Sequence, residues 1–282
     1  MVTEAVTMEP PMRFRFITFL TDFGLRDDFV GTCHGVIKSI APDAEIIDIT
    51  HGIEPRRVLQ GALTLADTIP YMPPGVHLAV VDPGVGTDRR VIAVEDKSGR
   101  LYVGPDNGLL LPAADRMGGL ARAHQIANPA YAMKDISPTF HGRDVFSPAA
   151  AHLALGVPIE DLGPSLEPDE LVRLDIPEPK ALHGQIKAAV VDTDRFGNMQ
   201  LNLRNEHLEA LGLSVGTKIE LEHAGERYYA VTARTFSDAR RGDIMLYEDS
   251  FQNLAVAISG GDAANMFGAA PGDKITIRLI EQ

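Results

Sequence analysis

Short apolar segments alternate with helix-like segments over the first half of the chain, and this alternation restricts the possible folds more than any other feature. A buried strand is predicted over 16–21, followed by a helix over 28–40 in which Val30, Val36 and Ile40 keep helical spacing. The further predicted strands are 44–50, 76–81, 91–94 and 101–103, and the further predicted helices are 57–69 and 144–155. Such alternation is typical of a largely parallel sheet with helices on both faces.

The pattern changes in the last third of the chain. Residues 157–180 are acidic and interrupted by prolines, which indicates a linker or a wrapping arm. Short strands separated by turn residues follow, at 186–191, 217–221, 228–233, 254–258 and 274–279, with a single helical turn at 262–267. This pattern favours a small barrel or sandwich. We therefore predict an α/β protein: an N-terminal, mostly parallel sheet flanked by helices over 13–175, and a C-terminal all-β, barrel-like domain over 176–282.

Composition narrows the classes of partner. The 26 Lys and Arg residues against 39 Asp and Glu residues give a formal net charge of −13, whereas binding to nucleic acid or anionic lipid needs excess positive charge. A small-molecule partner is therefore predicted, with no nucleic acid and no membrane. Cys33 is the only cysteine, so one chain can form neither an internal disulfide nor a cysteine metal cage. No apolar run approaches the ~20 residues of a membrane span, and residues 1–12 lack the pattern of a secretory signal, so a cytoplasmic location is predicted.

Three predicted strands finish on or near an acidic residue: Asp22, Asp48 and Asp82. Ligands of open α/β sheets bind beyond the carboxyl ends of the strands. Any one of these acids could simply cap the following helix or turn. The three together favour a site for a polar ligand.

Two loops of the α/β region contain groups suited to chemistry. The glycine turn at 82–89 lacks the Gly-Lys-Ser/Thr ending of a phosphate loop, and Arg89 stands where a dinucleotide fingerprint would have its last glycine. By itself it could be a plain turn with a weak Asp82–Arg89 surface pair. In the second loop, His141 lies beside Gly142 and could act as a general base or a hydrogen-bond donor, or could belong to a capping cluster.

A metal site is a weaker interpretation of the same residues. No closely spaced pair, such as His-x-x-x-His, fixes two ligands on one element, and we predict no metal. The residues with suitable ligand atoms are Asp22, Asp48, His51, Asp82, His141 and Asp144.

The β region contains one turn with functional groups, at 192–198. Asp, Gly and Asn suit a hairpin turn. The same turn offers the Asp194 carboxylate for an ammonium group, the Asn198 amide for the edge of a base, and the Phe196 ring for stacking.

Six motifs, taken in order, closely resemble those of the S-adenosyl-L-methionine hydroxide adenosyltransferases, the relatives of the fluorinating and chlorinating enzymes. The resemblance extends from about Phe16 to Leu279 and so covers both predicted domains. The motifs are LTDFG at 20–24, DITH at 48–51, VDPGVG at 81–86, GPDNG at 104–108, FHGRD at 140–144 and DRFGN at 194–198.

The resemblance implies a fold, an assembly and a reaction. It implies an α/β domain followed by a barrel-like domain, in a homotrimer whose active sites lie between neighbouring subunits. It also implies that water or hydroxide attacks the ribose 5′-carbon of S-adenosyl-L-methionine to give adenosine and L-methionine. No metal or other cofactor is implied.

The resemblance also assigns residues to roles. Asp82, Arg89 and His141 match the trio that activates water; the halogenases have an aromatic residue in place of Asp82 and lack such an arginine. The sequence therefore resembles the water-using branch. The implied substrate-binding residues are Asp22 for the ribose diol, Asp194 for the methionine ammonium, Asn198 and Phe196 for the adenine, and Asp27 and Ser250 for the methionine end. Arg56 stands where the fluorinating branch has an aromatic packing residue.

A physical account fits these roles. A neutral thioether leaves from a sulfonium, so the leaving group needs no acid, and the difficulty lies in making water nucleophilic. Arg89 would favour developing hydroxide, while either Asp82 or His141 could take its proton. Three alternatives remain open at this stage: a binding protein that senses S-adenosylmethionine or adenosine without turnover, a halogenase, and a metal-dependent hydrolase.

Overall fold

The computed structural model describes residues 13–182, 184–210 and 212–280. The chain divides into two compact units between Leu174 and Asp175. The predicted absence of a secretory signal concerns residues 1–12, which lie outside the described residues. Within the described part of the chain, no helix is long and apolar enough to cross a bilayer.

The first unit contains a seven-stranded sheet with the order β2-β1-β3-β5-β4-β6-β7. Its strands are β1 Phe16–Thr21, β2 Glu45–Thr50, β3 Gly75–Val80, β4 Val91–Asp96, β5 Leu101–Pro105, β6 Leu120–Gln125 and β7 Ser165–Leu166. Its α-helices are α1 Phe29–Ile40, α2 Val58–Thr68, α3 Leu111–Arg116 and α4 Ser147–Ala154. The predicted sheet with flanking helices is confirmed.

Strands β2, β1, β3 and β5 run parallel, and β4, β6 and β7 extend the sheet in antiparallel fashion. Thr21 pairs with Val80 where β1 and β3 end side by side. The loops that follow these two strands therefore leave the sheet at the same edge, which is where an α/β sheet binds ligands.

Alternating residues of β1 enter two different cores, as a period of two requires. Ile17 and Phe19 belong to the apolar cluster that includes Ile37 of α1 and Phe146 ahead of α4. Leu20 points to the opposite cluster, which contains Leu65 of α2. Each of these side chains is fully buried, and burying one such side chain stabilises the fold by about 1.5–3 kcal/mol. The sheet is thereby packed against an apolar core on each face.

The helix predicted over 144–155 begins differently. Residues Gly142–Phe146 form a turn of π-helix, and the regular α-helix starts only at Ser147. A Cβ added at Gly142 would lie 3.0 Å from Cζ of Phe23, so the turn packs tightly beneath that ring. A π turn accommodates an extra residue within a helix, and such turns are frequent at functional sites.

The predicted linker at 157–180 is partly structured. Ile159–Leu162 form a 3-10 turn whose end residues are buried, and β7 pairs with β6. As far as Leu174, this segment is an arm that packs on the first unit rather than a free linker.

The second unit is a closed barrel of seven strands. Its strand order is β10-β14-β13-β12-β11-β15-β9, pairing of β9 with β10 closes the ring, and β8 adds to β9. The strands are β8 Lys180–Leu182, β9 Gln185–Thr193, β10 Met199–Arg204, β11 Lys218–His223, β12 Glu226–Ala233, β13 Ile244–Glu248, β14 Asn253–Ile258 and β15 Lys274–Leu279. The predicted barrel-like domain is confirmed.

The barrel interior follows the strand period. On β10, Met199, Leu201 and Leu203 are buried, and the residues between them are only half-buried. Two short helices accompany the strands, α5 Asn205–Ala210 and α6 Ala263–Phe267. The prediction of a single helical turn in this region was wrong, because α5 follows directly on β10 with little apolar periodicity of its own.

Candidate active site

A tight glycine turn folds Arg89 back onto Asp82 in the first unit. The N–H of Val85 donates to the carbonyl of Asp82, and that of Thr87 donates to the carbonyl of Gly84. Gly86 has φ +79°, and a Cβ there would lie 2.6 Å from the carbonyl oxygen of Pro138. Only glycine satisfies both conditions, so the turn brings its two charged ends together.

Asp82 and Arg89 form a bidentate ion pair. Nε of Arg89 donates to Oδ1 of Asp82 over 2.9 Å, and Nη2 donates to Oδ2. Only 10% of the Arg89 side chain and 6% of the Asp82 side chain is exposed. The alternative of a weak surface pair is therefore wrong, because this pair is buried and its fork geometry is fixed.

His141 completes the cluster from the π turn. Nη2 of Arg89 lies 2.9 Å from Nδ1 of His141, and because arginine can only donate, Nδ1 must accept. The neutral ring therefore has its proton on Nε2. Burial lowers the pKa of His141 below its ordinary value of 6.5, and the positive charge of Arg89 lowers it further. His141 is thus neutral at neutral pH.

Arg89 keeps donors to spare. Nη1 is buried and has no hydrogen-bond acceptor among the residues that the structure describes. The guanidinium lies over the ring of Phe146, with its central carbon 5.3 Å from the ring centroid. Sequence reasoning missed Phe146, whose only signal was its apolar character five residues after His141. An oxygen ligand would satisfy the two N–H groups of Nη1.

Asp22 follows β1, next to the strand that leads to Asp82. Its Oδ2 accepts the backbone N–H of Arg56 over 2.9 Å. Burial raises the pKa of Asp22, and the negative charge of Asp82 adds to the rise, while the N–H of Arg56 opposes it. Asp22 is therefore a partly buried carboxylate that forms no ion pair with any residue that the structure describes. A ligand with hydroxyl donors would compensate it.

Aromatic rings enclose this region. The rings of Phe23, Phe29 and Phe140 pack edge to face, with centroids 5.1–5.9 Å apart. Asp27 lies in the exposed segment just before α1. This packing ties the Asp22 loop to the segment that ends in His141.

Two acids from the sequence analysis have other partners. Asp48 lies within β2, in register with Phe19, rather than at the strand end, and it contacts His34. Asp144 is buried in the π turn and accepts from Arg143 and from the N–H of Ser137. Burial opposes its ionisation, but these hydrogen bonds outweigh burial and lower the pKa of Asp144. Asp144 therefore stabilises the turn that holds His141.

In the second unit, Asp194 organises the turn between β9 and β10. Its Oδ1 accepts the backbone N–H groups of Phe196 and Asn198 over 2.8 and 2.9 Å, and its Oδ2 accepts Nδ2 of Asn198 over 2.8 Å. The ring of Phe196 is 62% exposed, with the guanidinium of Arg195 4.7 Å above it. The turn thus presents an exposed flat ring on a fixed backbone.

This turn borders a cavity of about 560 Å³. Phe236 was not singled out from the sequence, yet it faces the cavity with a 45% exposed ring. Ser250 is exposed in the turn between β13 and β14 and is not among the residues that line the cavity. The lining residues are Asp194, Phe196, Asn198, Phe236, Ile258, Gly260 and Gly261.

Two folded units, one with a buried Asp–Arg–His cluster and one with a ring-lined cavity, match both domains of one enzyme family. The model of the SAM hydroxide adenosyltransferase N-terminal domain matches residues 17–163, and that of the C-terminal domain matches residues 188–276. The chain belongs to the SAM hydroxide adenosyltransferase family.

Individual relatives agree with this membership. The chain is 46% identical to the (R)-S-adenosyl-L-methionine hydrolase of Salinispora tropica, over 93% of this chain and 97% of that protein. It is 39% identical to the hydrolase of the same name from Thermus thermophilus, over 94% of this chain and the whole of that protein. The fluorinase of an Actinoplanes species is more distant, at 28% identity over 93% of this chain and 96% of that protein.

A solved structure supports the fold independently. The crystal structure of an uncharacterized conserved protein from Thermotoga maritima superposes with a TM-score of 0.88 at 36% identity, covering 93% of this chain and 99% of that one.

Proposed function

We propose that this protein hydrolyses S-adenosyl-L-methionine to adenosine and L-methionine by direct displacement at the ribose 5′-carbon. The observation that carries the proposal is the buried cluster of Asp82, Arg89 and His141, in which the guanidinium binds both other side chains. Relatives that carry the hydrolase name at 46% and 39% identity support the same reaction.

The cluster suits a reaction limited by its nucleophile. The sulfonium leaves as a neutral thioether, so the protein must supply an activated water and nothing for the leaving group. In this proposal, Nη1 of Arg89, which has no acceptor among the described residues, stabilises the oxygen as negative charge develops on it. The surrounding burial strengthens that interaction because water cannot screen it. Positioning water in line with the carbon–sulfur bond lowers the barrier further.

The hydrogen-bond directions favour Asp82 as the proton acceptor. Neutral His141 accepts from Arg89 at Nδ1 and so has its proton on Nε2, from which it can donate to the water oxygen but not accept. Each Asp82 oxygen has lone-pair capacity beyond its bond to Arg89. We therefore assign the proton transfer to Asp82 and the orientation of water to His141 and Arg89.

The remaining site residues bind substrate in this proposal. Asp22 would accept both ribose hydroxyls, which explains a partly buried carboxylate with a raised pKa. Phe196 would stack on adenine and Asn198 would bind its edge, supported by the exposed ring and the adjoining cavity. Asp194 would attract the methionine ammonium, with Asp27 and Ser250 as further contacts at the methionine end.

Assembly and location are part of the proposal. We infer a homotrimer in which residues from neighbouring subunits meet at each active site, and a cytoplasmic location. Leu25 and Phe29 support an interface near Asp22, because their large apolar side chains are 79% and 41% exposed. The reacting atoms need no metal or other cofactor, since Arg89 already supplies positive charge beside the nucleophile.

Labelled water tests the reaction. Incubation with S-adenosylmethionine in ¹⁸O-water places the label in the 5′-hydroxyl of adenosine if water attacks that carbon. Binding without adenosine formation between pH 6 and 9 would instead indicate a sensor, and 5′-halo-5′-deoxyadenosine in the presence of halide would indicate a halogenase. Asp82 argues against the halogenase, because its carboxylate would repel the halide.

A further inference from the structure

A second group of ligand-type atoms lies on α1 and β2, apart from the Asp82–Arg89–His141 cluster. Nε2 of His34 is 2.9 Å from Oδ1 of Asp48, and Nε2 of His51 is 3.1 Å from the same oxygen. One ligand atom from each of the three residues lies within 4.8 Å of the other two. Two imidazoles and one carboxylate therefore converge on a small volume.

The ring of His51 is held as a metal ligand would be. Its side chain is only 3% exposed, and Nδ1 shares a 2.8 Å hydrogen bond with Oγ1 of Thr21. Metal-binding histidines usually fix their ring through such a bond at the other nitrogen.

The other nitrogen of His51 lacks a satisfactory partner. Nε2 is buried and makes no hydrogen bond within the described part of the chain, although Oδ1 of Asp48 is only 3.1 Å away. The ring nitrogen therefore points past that oxygen rather than at it. A buried polar atom without a hydrogen bond needs an explanation, and a bound ion is one that the neighbouring His34 and Asp48 support.

We propose that Nε2 of His34, Oδ1 of Asp48 and Nε2 of His51 bind a divalent transition-metal ion of the zinc class. Imidazole and carboxylate ligands suit this class, with bond lengths of about 2.0–2.2 Å. In a tetrahedral site with such bond lengths, neighbouring ligand atoms are separated by roughly 3.4 Å. The two nitrogen–oxygen distances of 2.9 and 3.1 Å therefore need to widen by a few tenths of an ångström when an ion binds. Asp48 is 41% exposed, so water can complete the coordination.

The site would act on structure rather than on the reaction. None of its three ligands bonds to Asp82, Arg89 or His141. It does connect to the loop that carries Asp22, because the N–H of Gly24 donates to the carbonyl of His51 and the N–H of Phe23 donates to Oγ1 of Thr21. A bound ion would stabilise α1, β2 and this loop together.

Cobalt(II) provides the direct test on the full-length protein after treatment with chelator. We expect one equivalent of Co²⁺ to bind with a visible absorption band, to be displaced by Zn²⁺, and to raise the melting temperature. His34→Ala and Asp48→Asn should each weaken Co²⁺ binding at least tenfold. Even the loss of a residue that only hydrogen-bonds to a metal ligand typically costs about 10–100-fold in affinity. His152→Gln removes a half-buried histidine that packs on Tyr131 instead and should bind Co²⁺ as the unaltered protein does.

Two results would overturn the proposal. One is the absence of stoichiometric Co²⁺ or Zn²⁺ binding by the unaltered protein. The other is binding that survives in both His34→Ala and Asp48→Asn while circular dichroism shows each variant folded. A variant that unfolds without metal is replaced by His34→Gln, which keeps the volume of the side chain and removes the imidazole.

Discussion

The backbone N–H of Arg56 donates to Oδ2 of Asp22 over 2.9 Å, and Arg56 adopts a left-handed φ of +69° in the same turn. Non-glycine residues pay for this conformation in backbone strain, and such strain persists where surrounding structure requires it. The strained turn and the partly buried carboxylate both cost stability in the free protein. We therefore expect Asp22 to lower the stability of the free protein while it strengthens the binding of substrate.

Asp22→Asn should raise stability and weaken substrate binding. The folded protein raises the pKa of Asp22, so its ionised form is disfavoured relative to the unfolded chain, and this cost is present at pH values above the folded pKa. Asparagine removes the charge and can still accept from Arg56. We expect a higher melting temperature at pH 7 and about 10–100-fold weaker binding of adenosine, the range for losing hydrogen bonds to a charged acceptor. A lower melting temperature with unchanged affinity would contradict this role.

Arg89→Lys should reduce turnover far more than binding. Lysine keeps the charge near Asp82 but loses the fork and the spare Nη1 donors, and removal of one such donor typically costs about 10²–10³ in kcat. Alanine is less informative because it would leave the buried Asp82 carboxylate unpaired. Single-turnover rates and calorimetric affinity separate the two effects.

Arg90→Lys is the matched control for Arg89→Lys. Arg90 is the neighbouring residue and pairs with Asp106 outside the cluster, so its replacement should leave turnover unchanged. Equal losses of turnover in the two variants would show that the Arg89 replacement acts by disturbing the fold rather than the attacking water.

We expect kcat to fall at acid pH because His141 becomes protonated. Because the folded protein lowers the pKa of His141 below 6.5, the ring stays neutral across neutral pH and gains its proton only as pH falls through that lowered value. Protonation at Nδ1 removes the acceptor for Arg89. His141→Gln should lose about 10²–10³ of the rate, the typical cost of removing one preorganised hydrogen-bond donor, and should lack this acid limb. An unchanged limb in the variant would assign it to another group.

Gly197→Ala should disrupt the adenine turn. Gly197 has φ +79°, and a Cβ there would lie 2.1 Å from Oδ1 of Asp262, which caps α6. Either the turn or the Asp262 carboxylate must therefore move, and a shift of the turn displaces Phe196 and Asn198 with it. Gly225→Ala has a similar φ of +87° but open space around its Cβ, so it isolates the strain of about 1–3 kcal/mol. Adenosine affinity should fall only in Gly197→Ala; equal affinity in both would contradict the turn's role.

Removal of metal should leave turnover unchanged while it lowers the melting temperature. With chelator, turnover at moderate temperature should stay unchanged, because the proposed chemistry uses only protein side chains. Loss of turnover that Zn²⁺ restores would contradict a reaction without metal.

Much of the fold was predictable because its strands are apolar and its helices amphipathic. Strand β6 was missed because Leu120–Gln125 has three charged or polar residues at a partly exposed position in the sheet. Helices α3 and α5 were missed because six residues are too few to establish a helical period. Periodicity detects long elements with one buried face and little else.

Only those site residues that lie within recognisable sequence motifs were predictable. Asp82, Arg89 and His141 were identified from motifs, and the structure brings them into one hydrogen-bonded cluster. Arg56 acts through a backbone N–H and a left-handed φ, which no side-chain pattern reveals. His34 on α1 and Asp48 in β2 lie 14 residues apart in the sequence, and no motif joins them, so only the folded structure shows their contact.

The π turn over Gly142–Phe146 constrains the number of residues in this segment as well as their types. A helix rotates by about 100° for each residue, so deleting one residue between His141 and α4 would swing the imidazole to another side of the helix and away from Arg89. Four of the five residues of this turn are buried, so Arg143 is its most tolerant position for substitution, and insertion or deletion would disrupt the turn. Relatives that retain the Asp82–Arg89–His141 cluster should therefore keep the number of residues in this turn constant.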